Sequence, residues 1–148
     1  MTKPIEGLPV LSSLLPHSGS MCLLDRVVAW DEQRIELFAH SHCDPANPLR
    51  HRGLLPIHAG IEYAAQGMAI HGSLCEQRES RPRSGFLAAL SNVDWYCMRL
   101  DDLPGELRVL ANKRAATQSG SSYHFSLYHD QQLLLEGQAV VALQNIQC

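Results

Sequence analysis

The segment running from Pro56 to about Cys75, LLPIHAGIEYAAQGMAIHGSLC with its two leading leucines, constrains the fold more than any other part of the chain. Pro56 suits a first helical position, where its missing N–H would have no partner anyway. No further proline follows before Cys75, and small residues are dense: Ala59, Gly60, Ala64, Ala65, Gly67, Ala69 and Gly72. Each glycine inside a helix costs about 1 kcal/mol relative to alanine. A sequence keeps such residues mainly where another backbone comes close. A rod this slim and apolar, with Ile61, Ala65, Met68 and Gly72 along one side, is expected to be buried and wrapped by the rest of the chain.

What surrounds it reads as strands. Leu8–Leu15 forms a short amphipathic turn or helix stopped by Pro16, and MCLLDRVVAW (21–30) is apolar and β-branched. Asp31, Glu32 and Gln33 make a polar turn, after which Ile35, Leu37 and Ala39 alternate with Glu36, Phe38 and His40, giving a hairpin. Residues 43–53 are rich in Pro, Asn, Arg and Gly and read as an irregular loop. Beyond the helix come GFLAALSNVDWYCMRL (85–100), a Pro-Gly turn at 103–106, ELRVLANKRAATQ, a Ser-Gly-Ser turn, SSYHFSLYH and LLLEGQAVVAL (133–143). One sheet curled round one helix satisfies the small face of the helix and the apolar face of the sheet together. The expectation is an α+β chain, a single domain over 1–148, with one long central helix wrapped by a curved antiparallel sheet.

Composition narrows the function classes. At 148 residues, with 45% hydrophobic residues, the chain needs neither disulfide nor metal to fold. A net charge of −3 leaves no electrostatic footprint for nucleic acid, and no run approaches the roughly 18 apolar residues that span a membrane. The cysteines at 22, 43, 75, 97 and 148 fit no zinc template, so free thiols in a reducing cytoplasm are expected and no cofactor or metal is called for. The opening MTKPIEGLPVLSSLL reads as neither secretory signal nor anchor.

His58, Glu62 and Gln66 stand four residues apart. Each step of four turns only about 40° round a helix, so the three form one polar stripe on an apolar rod. The plainer alternative is one wet face of an amphipathic helix, but buried acids are rare unless paired or functional. A carboxyl at Glu62 suits general acid work, and an imidazole one turn earlier is its complementary base. Free N–H groups where the helix starts would hold a developing oxyanion on a thioester carbonyl. The set suits removal of an alpha proton with loss of a beta-hydroxyl, and thioester hydrolysis almost as well. His58 and the loop residue His51 are therefore candidate catalytic partners of Glu62. Pro56, Ile57, Gln66 and His17 are candidate substrate-binding residues. His40 and His42, bracketing Ser41, are expected on one face of a strand without a third metal ligand. His71 is expected to be structural, and Trp30, Trp95 and Tyr63 to belong to the core.

LLPHSGSMCLLDRVVAW resembles the opening of the (3R)-3-hydroxyacyl-ACP dehydratases of fatty-acid synthesis, the FabZ and FabA type. LLPIHAGIEYAAQGMA resembles their central-helix motif, with Pro56, Glu62, Ala65 and Gln66 in step, and GFLAALSNVDWYCMRLDDLPGEL resembles their strand and Pro-Gly turn. The phrase GIEYAAQ is similar to the ApeP-like branch, found beside genes for polyketide-type products such as aryl polyene pigments. This resemblance, from about Leu14 to Leu143, implies a hotdog fold and a dimer with helices side by side. It also implies acyl sites that pair a loop His of one subunit with the helix acid of the other, here Glu62. Counting back without gaps from Pro56, that His position holds Pro48, although a gap in the loop would bring His51 to it.

Three functions follow from these readings. The first is a 3-hydroxyacyl-ACP dehydratase, its substrate presented by an acyl carrier protein or as acyl-CoA. The second is an accessory subunit in a heterodimer with another hotdog chain, and the third an acyl-thioesterase.

Overall fold

The computed structural model describes residues 21–76 and 83–145. Its elements are β1 (Arg26–Trp30), β2 (Arg34–Ala39), a single 3-10 turn (Ser41–Cys43), α1 (Ala59–Glu76), β3 (Arg83–Trp95), β4 (Leu107–Thr117), β5 (Gly120–His129) and β6 (Gln132–Asn145). The expected helix or turn at Leu8–Leu15 and the candidate His17 lie outside the described residues.

The six strands form one antiparallel sheet in the order β1-β2-β4-β5-β6-β3. α1 lies against its inner face, which is the hotdog arrangement. Alternation decides which side chains meet the helix. In β2 Ile35, Leu37 and Ala39 are buried, and in β4 Leu107, Val109 and Ala111, while their neighbours face outward. Tyr123, Phe125 and Leu127 of β5 complete that layer. Burying each large side chain of this kind contributes about 1.5–3 kcal/mol. The turn between β1 and β2 is closed by the Asp31 carboxylate, which accepts the N–H groups of Gln33 (2.8 Å) and Arg34 (3.0 Å).

The small residues of α1 have identifiable neighbours. A Cβ on Gly60 would stand 2.8 Å from Leu127 Cδ2 and 2.9 Å from Leu135 Cδ2, and one on Gly67 3.1 Å from Leu37 Cδ1. These two glycines let the sheet close on the helix. Gly72 differs, because a Cβ there would meet nothing within 4 Å. It belongs to a half-exposed stripe, Ile61, Glu62, Ala65, Ala69, Gly72, Ser73 and Glu76, that the sheet leaves uncovered.

Four expectations need correction. α1 begins at Ala59, not Pro56, because Leu55–Ile57 is held as extended chain against Met98–Leu100: Ile57 N–H donates to Met98 O (3.0 Å) and Leu100 N–H to Leu55 O (2.8 Å). The strand expected over 85–100 ends at Trp95 for the same reason, since the following residues turn to pair with that segment. Trp95 is 57% exposed on the edge strand β3, whereas Trp30 and Tyr63 are buried as expected. His40 and His42 do not share a strand face; the 3-10 turn sends His40 outward and buries His42 completely. No helix among the described residues is long and apolar enough to cross a membrane.

Candidate active site

Glu62 sits in the first turn of α1, half-buried, on the uncovered stripe. Its hydrogen-bond partner is Gln66, one turn on, whose Nε2 donates to Glu62 Oε1 at 3.2 Å. The same amide ties down the segment ahead of β1: Nε2 also donates to Met21 O (2.6 Å), and Oε1 accepts Leu23 N–H (2.9 Å). At 4% exposure Gln66 has little surface to offer a substrate. It bridges Glu62 to the segment ahead of β1.

Leu23 links this clamp to a second one. Its carbonyl accepts the Ser41 hydroxyl (2.7 Å), which leaves Tyr63 OH to donate to Ser41 Oγ (2.6 Å) and to accept Asn47 Nδ2 (3.1 Å). Asn47 also donates to Ser41 O (2.8 Å) and accepts Leu49 N–H (2.9 Å). Burial pushes the Tyr63 phenol above its ordinary pKa, with the bonds to Ser41 and Asn47 pulling the other way. The residue beside Glu62 in GIEYAAQ thus fixes the loop through position 48, where Pro48 is exposed between two held neighbours. Nothing in the sequence marks Ser41 or Asn47 as members of this chain, because they lie 22 and 16 residues from Tyr63.

Two of the candidate histidines, His58 and His51, lie among the described residues. His58 is exposed in the turn before α1, and His51 is exposed in a tight turn that it closes with Leu54. Neither makes a hydrogen bond or ion pair with Glu62, whose bond runs to Gln66. Pro56 is half-buried beside Arg99, and Ile57 is 7% exposed. Most of the expected oxyanion donors are engaged: the N–H groups of Ala59, Gly60 and Ile61 bond to the carbonyls of Pro56 (3.0 Å), Ile57 (2.9 Å) and His58 (3.1 Å), and that of Ile57 to Met98, whereas that of His58 bonds to no backbone group among the described residues. His71 is structural as expected, bonded to Tyr123 OH and Asp31 O, both at 2.7 Å.

A sheet wrapped on a helix whose first turn carries a half-open, amide-held carboxyl is the arrangement the comparisons with known proteins bear on. The family model of the ApeP dehydratase, ApeP-like, matches residues 9–147. The chain belongs to the ApeP-like dehydratase family. Among solved structures, the dehydratase heterocomplex ApeI:P from Xenorhabdus doucetiae superposes with a TM-score of 0.83 at 18% identity, over 93% of each chain. A thioesterase from Haemophilus influenzae follows at 0.66 and 15% identity, over 91% of this chain and 88% of that one. A mutant thioesterase from Pseudomonas aeruginosa gives 0.61 and 15%, over 82% and 81%. At these identities the likeness shows the hotdog fold. No curated protein sequence matches.

Proposed function

We infer that this chain is the acid-bearing subunit of a heteromeric 3-hydroxyacyl thioester dehydratase. An imidazole of a second hotdog subunit removes the alpha proton, the Cβ–O bond breaks, and Glu62 delivers its proton to the departing hydroxyl. Water and a 2-enoyl thioester result. The observation that carries this reading is Glu62 itself: held by Gln66, half-open on a helix face the sheet leaves bare, and without a hydrogen-bonding histidine among the described residues of its own chain.

Two further features support a partner at that face. The stripe Ala65, Ala69 and Gly72 is small enough to admit another helix, and Gly72 has no neighbour of its own there. β3 is an edge strand with Leu87, Leu90 and Trp95 exposed, and the segment after it exposes Tyr96 and Met98, the last at 78%. Long apolar edges are normally covered. The structural relative described as a dehydratase heterocomplex supports a second, non-identical hotdog chain as the cover. An acyl carrier protein or coenzyme A presents the thioester, in fatty-acid-like or aryl polyene assembly in the cytoplasm.

The test is reconstitution. Purified alone, the chain should leave 3-hydroxyacyl-ACP unchanged; co-expressed with a hotdog partner bearing a loop histidine, it should yield the 2-enoyl product. Glu62→Gln should abolish that turnover without dissociating the complex. Full activity of the single chain would refute the need for a partner and return His58 or His51 of a second copy to consideration. Release of free thiol with no enoyl product would establish the thioesterase reading, for which a lone acid able to activate water is the favourable feature.

A further inference from the structure

The loop motif RHRG is not absorbed by the site above. His51 and Leu54 exchange two backbone hydrogen bonds, His51 N–H to Leu54 O at 2.8 Å and Leu54 N–H to His51 O at 3.0 Å. The two residues between them, Arg52 and Gly53, have φ of 52° and 78°. Positive φ at both central positions defines a type I′ turn, whose first position ordinarily takes Asn, Asp or Gly. Arginine there is held in the left-handed region against the clash of its own Cβ. Such strain persists where the surroundings enforce it, and a functional site is one reason to retain it.

The surroundings do enforce it. Arg50 lashes the turn to the body of the protein, with Nη1 on Gly53 O and Nη2 on His42 O, both at 3.0 Å. On its other side the chain passes into Leu55, whose N–H is accepted by Asp101 Oδ1 at 2.8 Å, and then into the pairing with Met98–Leu100. The knuckle is therefore rigid. It is also referenced to the helix: six residues separate Arg52 from His58, at most roughly 20 Å of extended chain.

Its charge is uncompensated. Arg26 pairs with Glu106, Arg34 and Arg108 with Glu36, and Arg99 with Asp101. Arg52 and His51 are exposed and have no side-chain partner among the described residues, and the N–H groups of Arg52 and Gly53 are engaged by no other backbone group there. An unpaired guanidinium carried on a held turn, beside two N–H groups with no backbone acceptor, is a receptor for a compact oxyanion.

We propose that the Arg50–Leu54 knuckle binds the phosphate at the far end of the pantetheine arm that carries the acyl thioester, with Arg52 as the charged contact. The proposal rests on the thioester reading given above. It adds a phosphate subsite outside the acyl site, reached by the length of the arm. The phosphate is common to a carrier-protein arm and to coenzyme A.

The experiment is a binding measurement, so that it stands apart from turnover. The full chain, in complex with its partner subunit, is titrated with 4′-phosphopantetheine and with unphosphorylated pantetheine at low salt. The phosphorylated compound should bind about fivefold more tightly or better, with the difference shrinking as salt rises. In Arg52→Gly, which suits the turn better than arginine and so keeps it folded, the ratio should fall towards one; Arg52→Lys should keep part of it. A ratio of one in the unaltered complex, or the same ratio in Arg52→Gly, overturns the proposal. Repeating the comparison with coenzyme A and with a phosphopantetheinylated carrier protein separates the sources: equal losses in Arg52→Gly assign the contact to the arm alone, whereas a loss confined to the carrier protein overturns the phosphate assignment in favour of a protein surface. Failure of dehydration with these ratios intact would sink the reaction reading and leave the subsite standing.

Discussion

Consider Gln66→Ala. The substitution deletes the acceptor of Leu23 N–H, the donor to Met21 O and the donor to Glu62 at one stroke. Leu23 is 1% exposed, so its N–H cannot turn to water and is left with a desolvation penalty of about 1–3 kcal/mol. Met21 is only half-buried, and its carbonyl recovers water at a cost of about 0.5–1 kcal/mol. Loss of the packed methylene adds roughly 0.8 kcal/mol. The sum, about 2–5 kcal/mol, should appear as a lower midpoint in equilibrium urea unfolding at unchanged slope. Amide hydrogen exchange at Leu23 should accelerate in parallel. Gln66→Glu sharpens the reading, since it keeps an acceptor for Leu23 while removing the donor to Glu62. At 4% exposure the new carboxylate faces Met21 O and Glu62 with no donor between them, so at neutral pH the variant should be no more stable than Gln66→Ala, and it should lose dehydration activity in the reconstituted complex. If Gln66→Ala stays within about 0.5 kcal/mol of the natural protein, the range of ordinary surface changes, and the Leu23 amide stays protected, the clamp as described is wrong.

The remaining tests bear on pH, packing and strain. Burial holds His42 and His71 below the ordinary histidine pKa of 6.5. The unfolded chain therefore binds more protons below about pH 6.5, so that stability is complete above that value and falls as the pH drops towards the native values, by at most about 1.4 kcal/mol per unit for each histidine. Unfolding free energies measured from about pH 8 to 5 check this; a flat profile would show that the two buried imidazoles are not the neutral groups described. Gly60→Ala drives a Cβ to 2.8 Å from Leu127 and should destabilise by up to about 3 kcal/mol, whereas Gly72→Leu should leave the fold intact and block assembly with the partner, read by co-purification. Arg52→Gly should raise stability by about 1 kcal/mol through relief of its left-handed backbone, and thermal unfolding that places it below the natural protein would deny that strain.

Much of this architecture is already legible in the order of residues. The slim segment with Gly60 and Gly67 announces a wrapped helix because glycines there are costly without a close neighbour, and the alternation of Ile35, Leu37 and Ala39 announces which strand face meets it. The placing of Glu62 and Gln66 one turn apart follows from helix geometry alone, and the structure does bond them. Where local rules fail, contacts distant in sequence override them. Pro56 is a good first helical residue, but pairing with Arg99 keeps it extended. His40 and His42 lie two apart, yet a 3-10 turn held through Ser41 and Tyr63 parts them. Trp95, large and apolar, is left outside because β3 ends the sheet.

Sequence by itself thus determined the helix, the sheet that wraps it and the acid at its head, since these rest on periodicity and on residue size. Only the tertiary structure decided that Gln66 faces Glu62 as a clamp, that the first helical N–H groups are already engaged, and that neither His58 nor His51 bonds to the acid. The clamp is set by bonds from Gln66 to Met21 and Leu23, 45 and 43 positions away, and the helix start by the pairing of Ile57 with Met98, contacts that no local pattern encodes.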